Sequence, residues 1–180
     1  MIAETFSPTR RALLARSSLA VAVSVGSFLA PGVSVASKPG AARSRSTGNV
    51  ALAQRFFELL RRKDVEAWAD LWAEDGRIIV PYSPEGFGTS IDGKTAILSA
   101  FRGLFGNFET FDTELIGLYP AADSDAVVVE YNVRATLVGG TRYTNSNIAV
   151  LRFEDRLITA YHDYFDPRRF QVVINALPKP

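Results

Sequence analysis

The sequence predicts an α+β fold in which three N-terminal helices pack into a curved, mainly antiparallel sheet. Two observations support this prediction. Apolar residues recur at helical spacing in segments between residues 49 and 105, and two-residue alternation replaces that spacing between residues 126 and 138. Helices followed by a run of long strands are typical of an α+β layout, with the sheet wrapped around the helices.

The first 36 residues differ from the rest and are predicted to be an export signal. Arg10 and Arg11 precede a weakly apolar run of small residues, and Ser34-Val35-Ala36 has the small residues that a signal peptidase reads. This pattern is similar to a twin-arginine signal. The run is shorter than the roughly 20 apolar residues that cross a bilayer, so we expect cleavage after Ala36 and a periplasmic or extracellular protein without a membrane anchor. A retained membrane anchor or a disordered tail is the alternative. Residues 37–48 are rich in Ser, Gly, Arg and Ala and predict a flexible linker to a domain at residues 49–180.

Three helices are predicted next. Asn49 to Lys63 has apolar residues at the spacing of an amphipathic helix, and Asp64 is a good N-cap for a second helix that stops at Glu74-Asp75-Gly76. A short strand, a long loop and a third helix follow at residues 77–80, 81–93 and 95–105.

The rest of the chain is predicted to be strand. Residues 109–119 and 126–138 form the first two long strands, and Gly139-Gly140 predicts a two-residue hairpin turn into residues 141–153. The last strand begins at Leu157 and extends toward Phe170, with a turn signal at Asp166-Pro167.

Composition limits the classes of function. The 180-residue chain has 20 basic and 19 acidic residues, a net charge of +1, so no charge excess favours nucleic acid or a charged membrane surface as a partner. It has no cysteine and one histidine, which excludes disulfides, a thiol nucleophile and a metal centre built from several such residues. We therefore expect neither a metal site nor a cofactor.

Two segments resemble the nuclear transport factor 2 superfamily, in its SnoaL-like branch. They are Trp68-Ala-Asp-Leu-Trp-Ala-Glu-Asp-Gly76, before the first strand, and Ile158-Thr-Ala-Tyr-His-Asp-Tyr-Phe-Asp166, which is most similar to the last strand of limonene epoxide hydrolases. The resemblance covers residue 49 to about residue 177. It implies a cone-shaped fold with a ligand pocket between the concave face of the sheet and the helices, often in a homodimer.

The same resemblance implies that Asp163 is a catalytic base. In limonene epoxide hydrolases an aspartate at this place in the last strand activates water. Counted back through the hairpin without gaps, the arginine and second aspartate of that family fall on Glu130 and Asn132, both departures from the pattern.

Strand parity enlarges the candidate site. If Asp163 faces the pocket, so does Tyr161, while His162 points to the other side or to a dimer contact. Tyr82 and Phe87, in the long loop, are expected to line the pocket mouth or to cap the core. The register that places Asp163 inward also brings in the polar side chains Glu130, Asn132, Asn145 and Asn147. For the polar half of the strand at 126–138 the alternative is that it faces water.

The sequence thus predicts an exported protein that binds a small, largely apolar organic molecule. Cofactor-free isomerisation, cyclisation, dehydration or hydrolysis is one hypothesis, with Asp163 as base and Glu130 as proton donor, because two carboxylates in a low dielectric can share one proton. The other hypothesis is a non-catalytic ligand-binding or protein-interaction module of the same fold. A raised pKa of Asp163 separates them, since a binding module does not need one.

Overall fold

The computed structural model describes residues 39–177, all of which belong to one compact unit. The predicted export signal at residues 1–36 lies outside the described residues. None of the helices that the structure describes combines the length and apolar character needed to cross a bilayer. In chain order the elements are α1 (Pro39–Arg62), α2 (Val65–Ala69), β1 (Trp72–Ile79), β2 (Ser90–Asp92), α3 (Lys94–Phe105), β3 (Phe108–Pro120), β4 (Ala126–Leu137), β5 (Arg142–Glu154), β6 (Leu157–Tyr164) and α4 (Pro167–Ala176).

Helix α1 begins about ten residues earlier than the sequence predicts. It includes residues 39–48, so the prediction of a flexible linker is wrong for that part of the chain. Pro39 is well suited to the first turn of a helix because its missing N–H would have no partner there. Ala and Arg, which follow it, have high helix propensity, and this outweighs the glycines at positions 40 and 48.

The second predicted helix is shorter than expected, and the first strand is longer. The Asp64 side chain caps α2 by accepting from the backbone N–H of Ala67 at 3.1 Å, as predicted. Helix α2 nevertheless ends at Ala69, and β1 already begins at Trp72 with a register irregularity before Arg77. The loop predicted at residues 81–93 also contains β2, which pairs antiparallel with β1. Tertiary pairing with β6 overrides the helical spacing here.

The six strands form one curved sheet in the order β2-β1-β6-β5-β4-β3. All neighbours are antiparallel except β1 and β6, which pair in parallel. This mixed α+β architecture confirms the predicted fold class. It also brings β6, the last strand, into the middle of the sheet, between strands from both halves of the chain.

The helices cover the concave face of the sheet and bury an aromatic core. Phe56 of α1 lies 5.1 Å from Trp68 and 5.0 Å from Tyr161 between ring centroids, so it joins α2 to β6. Phe57, also on α1, packs 4.5 Å from Tyr131 of β4. Such ring contacts add to the large area that each side chain buries.

A fourth helix, α4, follows β6, where the sequence predicts only a strand with a turn at Asp166-Pro167. Asp166 is its N-cap and accepts from the backbone N–H of Arg168 at 2.9 Å, and Pro167 occupies the first turn. An aspartate followed by proline is as typical of a helix start as of a turn. Phe170 and Val173 bury the inner side of α4 against the rest of the domain.

Candidate functional site

A cavity of about 480 Å³ lies between the helices and the concave face of the sheet. Its volume is within the range of pockets that hold small organic ligands. Apolar side chains form most of its wall, among them Leu60, Ile78, Val80, Phe101, Phe108 and Phe111. No lysine or arginine is among its lining residues in the part of the chain that the structure describes.

One end of the cavity is polar because three neighbouring strands point polar side chains at it. Ala149 pairs with Asp163 across β5 and β6, and Tyr131 pairs with Asn147 across β4 and β5. Residues two apart on a strand share a face, so Tyr131, Asn147 and Asp163 face the cavity together. Tyr161, two residues before Asp163, joins them.

These four side chains form one hydrogen-bonded network. The Tyr131 hydroxyl donates to Oδ1 of Asp163 at 2.9 Å, and Nδ2 of Asn147 donates to the same oxygen at 3.3 Å and to the Tyr131 hydroxyl oxygen at 3.0 Å. The hydroxyl oxygens of Tyr131 and Tyr161 are 2.8 Å apart. Because Tyr131 gives its hydrogen to Asp163, Tyr161 is the donor in that pair. Among the described hydrogen bonds, none engages Oδ2 of Asp163.

The surroundings of Asp163 change its acidity. Removal from bulk water raises its pKa from 3.8 to about 6, and the hydrogen bonds that Tyr131 and Asn147 donate to Oδ1 limit that rise. Desolvation, together with the nearby charge of Asp163, raises the pKa of Tyr131 and of Tyr161 well above 10, so both hydroxyls remain protonated donors. The site therefore contains one carboxyl group that titrates near neutral pH and two phenols that do not.

Glu130 and Asn132 do not belong to this site. Glu130 pairs with Ile148, and Asn132 pairs with Ser146, on the convex face of the sheet, so the prediction that they face the pocket with Asp163 is wrong. Their side chains bond instead to groups of that face: Glu130 accepts from Tyr119 at 3.4 Å. The alternative, that this half of β4 faces outward, is the correct one.

Glu130 and Asn132 were predicted on the wrong face because the hairpin loop between β4 and β5 is longer than expected. Thr136 pairs with Arg142, and the backbone N–H of Leu137 donates to the carbonyl of Thr141 at 2.8 Å. The connection therefore has three residues, Val138, Gly139 and Gly140, and both glycines adopt a positive φ. The predicted two-residue turn is one residue shorter, and a slip of one residue moves every side chain of a strand to the other face.

The other predicted site residues fall into two groups. Tyr161, Asn147 and Phe87 line the cavity as predicted. Asn145 is buried on the same face but lies behind the lining, and Tyr82 is 63% exposed on the convex side near Tyr164, so Tyr82 is not at the cavity mouth.

His162 lies on the convex face, opposite Asp163, where its ring stacks on Tyr164 at a centroid distance of 6.5 Å. This is one of the two places predicted for it. Burial, followed by the charges of Arg152 and Arg77, lowers the pKa of His162. Within residues 39–177 no group of three His, Asp or Glu side chains is placed to hold a metal ion.

Two tyrosines of the site, Tyr131 and Tyr143, were not predicted from the sequence. Tyr131 stands in the apolar half of β4, between Val129 and Val133, and that position alone was the signal that it faces the core. Tyr143 occupies the same face of β5 as Asn145 and Asn147. The correct hairpin register would have brought Tyr131 to Asp163, whereas the shared parity with Asn145 and Asn147 already placed Tyr143 on the cavity face.

Comparison with known families agrees with this architecture. The protein-family model for the SnoaL-like domain matches residues 53–161, more than half of the chain. This protein belongs to the SnoaL-like family. An uncharacterised Bacillus subtilis protein, YesE, is 30% identical over 115 residues, which are 63% of this SnoaL-like chain and 78% of YesE.

Solved structures show the same nuclear transport factor 2-like fold. A Bacillus subtilis protein described as a candidate isomerase is similar with a TM-score of 0.66 and 26% identity, over 73% of this chain and 96% of the other. A Mycobacterium tuberculosis epoxide hydrolase of the limonene epoxide hydrolase-like type is similar with a TM-score of 0.57 and 21% identity, over 72% and 92% of the two chains. The similarity to the epoxide hydrolase, at 21% identity, shows a shared fold only.

Proposed function

We propose that this SnoaL-like protein binds a small, uncharged, largely apolar organic molecule and transfers a proton to or from it without a cofactor. The observation that carries the proposal is the Asp163 carboxyl group at the polar end of an apolar cavity, where removal from water raises its pKa to about 6. A general base is most effective when its pKa lies near the working pH. Isomerase- and hydrolase-type structural neighbours are consistent with such chemistry.

The geometry supports a distinct role for each side chain in this proposal. Oδ1 of Asp163 is occupied by Tyr131 and Asn147, so Oδ2 is the oxygen that takes the proton. The Tyr161–Tyr131 pair supports the ionised form of the carboxyl group and keeps its pKa from rising further. Glu130 has no part in this scheme because it lies across the sheet, so Asp163 returns the proton itself as the acid.

A non-catalytic binding module is the second candidate. The observation that favours it is that Asp163 is the sole carboxylate among the cavity's described lining residues, so a paired acid and base is missing. A single carboxylate suffices for proton transfer within one molecule but not for hydrolysis that needs a separate acid. The two candidates differ in whether bound ligand exchanges protons.

The test begins with a thermal-shift screen of the full chain against uncharged terpenoid, steroid, polyketide and epoxide compounds. A ligand at 100 times its dissociation constant stabilises the fold by about 2.7 kcal/mol, which is readily detected. Each hit is then incubated in D₂O, and deuterium incorporation into its acidic C–H positions is followed by NMR. We expect exchange with the unmodified chain, none with Asp163→Asn, and normal exchange with Glu130→Gln as the matched control on the convex face.

Ligand binding without exchange would favour the binding module. The absence of any stabilising apolar ligand would contradict both candidates and favour a protein-interaction role.

The convex face of the sheet is the proposed contact of a homodimer. Tyr119 and Ile148 expose 55% and 50% of their surface there, and Val128, Val150 and Tyr164 lie between or beside them in register. Contiguous apolar surface of this kind is typical of interaction sites. Sedimentation equilibrium should give a dimer for the unmodified chain and a monomer for Ile148→Glu; a monomer in both cases would refute this contact.

Export by a twin-arginine-type signal is also a proposal, supported by Arg10, Arg11 and the small residues that end at Ala36. Cell fractionation should find the processed protein outside the cytoplasm. Replacement of both arginines by lysine should retain it inside, unprocessed. Unchanged processing in that variant would contradict the proposal.

A further inference from the structure

Tyr143 is a cavity-lining tyrosine that the scheme above does not use. It lies near the start of β5, is 5% exposed, and packs edge-on against Phe170 of α4 at a centroid distance of 5.9 Å. Its face of the strand also carries Asn145, and both side chains are held close to the first residues of α4. Its hydroxyl group is therefore in a fixed position.

The orientation of Asn145 determines what that hydroxyl can do. Oδ1 of Asn145 accepts from the backbone N–H of Ser146 at 3.1 Å and from that of Asp166 at 3.3 Å, while Nδ2 donates to the Asp166 carbonyl at 3.0 Å. A backbone N–H can only donate and a carbonyl can only accept, so the amide cannot be turned round. Nδ2 therefore donates to the Tyr143 hydroxyl oxygen, 3.1 Å away.

Tyr143 is thus an acceptor toward Asn145, and its own hydrogen is free for another partner. In the part of the chain that the structure describes, no hydrogen bond uses that hydrogen. Burial, assisted by the nearby charge of Asp163, raises the pKa of Tyr143, so the hydroxyl stays protonated at neutral pH. A buried donor without an acceptor is unfavourable, and a ligand that supplies the acceptor removes that cost.

The charge of the site limits which hydrogen-bond acceptors a ligand can present to Tyr143. Asp163 is a carboxylate above about pH 6, and no cationic side chain lines the described cavity wall to offset a second negative charge. An anionic ligand would therefore be repelled. An uncharged oxygen, such as that of a ketone, an ester or an ether, can accept from Tyr143 without this penalty.

We infer that Tyr143 is a ligand-orienting donor and that the ligand of this cavity carries an uncharged oxygen acceptor that binds the Tyr143 hydroxyl. This inference rests on the proposed function, because it needs an apolar ligand in the same cavity. The ligand oxygen then lies at Tyr143 and its carbon skeleton along the apolar wall of the cavity that Asp163 also lines. Tyr143 thereby selects which position of the ligand meets Asp163.

The test compares two probes with one ring skeleton, 1-indanone and indane, which differ in the ketone oxygen. NMR titration of the full chain gives the dissociation constant of each. We expect Tyr143→Phe to weaken 1-indanone binding about 5- to 10-fold, the value of one hydrogen bond, and to leave indane binding unchanged. The infrared carbonyl stretch of bound 1-indanone should move to higher wavenumber in the same variant.

Tyr119→Phe, which removes a hydroxyl from the convex face, is the matched control and should change neither constant. Tyr143→Phe keeps the Asn145 contacts with Asp166, so the variant should fold. An equal loss for both probes, or no loss for either, would overturn the role of Tyr143 while leaving the apolar site intact. If the unmodified chain bound neither probe, the proposed function would fail and the inference with it.

Discussion

Replacement of Asp163 by asparagine should stabilise the protein in a pH-dependent way. The pKa of Asp163 is about 6 in the folded chain against 3.8 for the free side chain, so folding disfavours the ionised form. For a group whose pKa is raised on folding, the contribution to stability is full below the unfolded pKa and is lost as pH rises through the folded pKa. A difference of about two units corresponds to roughly 3 kcal/mol.

Asparagine has the shape of the protonated carboxyl group and never ionises. Its side-chain oxygen still accepts from Tyr131 and Asn147, which donate to Oδ1 of Asp163 in the native chain. The change in the free energy of unfolding caused by Asp163→Asn should therefore be about 2.5 kcal/mol more favourable at pH 8 than at pH 4, because a small part of the effect is already present at pH 4. For a domain of this size that corresponds to roughly 10 °C in Tm.

The assay is urea or thermal unfolding of both proteins from pH 4 to pH 8. The lowered pKa of His162 also makes stability depend on pH, but it does so equally in the unmodified protein and in Asp163→Asn, so this effect cancels in the difference. The difference curve should rise between about pH 4 and pH 6 and then level off. A flat curve would refute the claim that Asp163 is desolvated, and a falling curve would mean that its ionised form is stabilised by the fold.

Three further predictions concern individual contacts. Tyr131→Phe removes a hydrogen bond to the ionised carboxyl group, so the pKa of Asp163 in an NMR titration should rise further above 6; an unchanged value would exclude that bond. Gly76→Ala should lower stability by about 1–3 kcal/mol in thermal unfolding, because the added Cβ would lie 2.8 Å from Trp72 Cε3; a neutral effect would mean that the ring can move. Asp64→Ala removes the cap of α2 and should cost about 1 kcal/mol, measured by urea unfolding; no loss would show that the cap is dispensable.

The element types of most of the fold could be predicted from the sequence. Helical spacing identified α1 and α3, alternation identified β4, and the hairpin signal at Gly139-Gly140 identified β5. The errors lie where local signals are ambiguous. Glu74-Asp75-Gly76 looks like a helix end but lies inside a strand, because β6 offers β1 a partner that is more than 80 residues away in sequence.

The candidate site was predicted in part. Asp163, Tyr161 and Asn147 come together as expected, since residues two apart on a strand always share a face. Glu130 was assigned to this group in place of its neighbour Tyr131, which is the residue that reaches Asp163. A single extra residue in the hairpin loop separates these two outcomes.

The sequence alone therefore determined which residues of each strand lie on the same face, because the two-residue period is a property of the extended backbone. It also determined α3 and the part of α1 after residue 48, whose apolar spacing is local. The tertiary structure alone decided which face of β4 meets Asp163, because strand register depends on the conformation of a loop containing two glycines. It also decided the acidity of Asp163, since a pKa depends on the groups that surround a carboxyl in space and not on its neighbours along the chain.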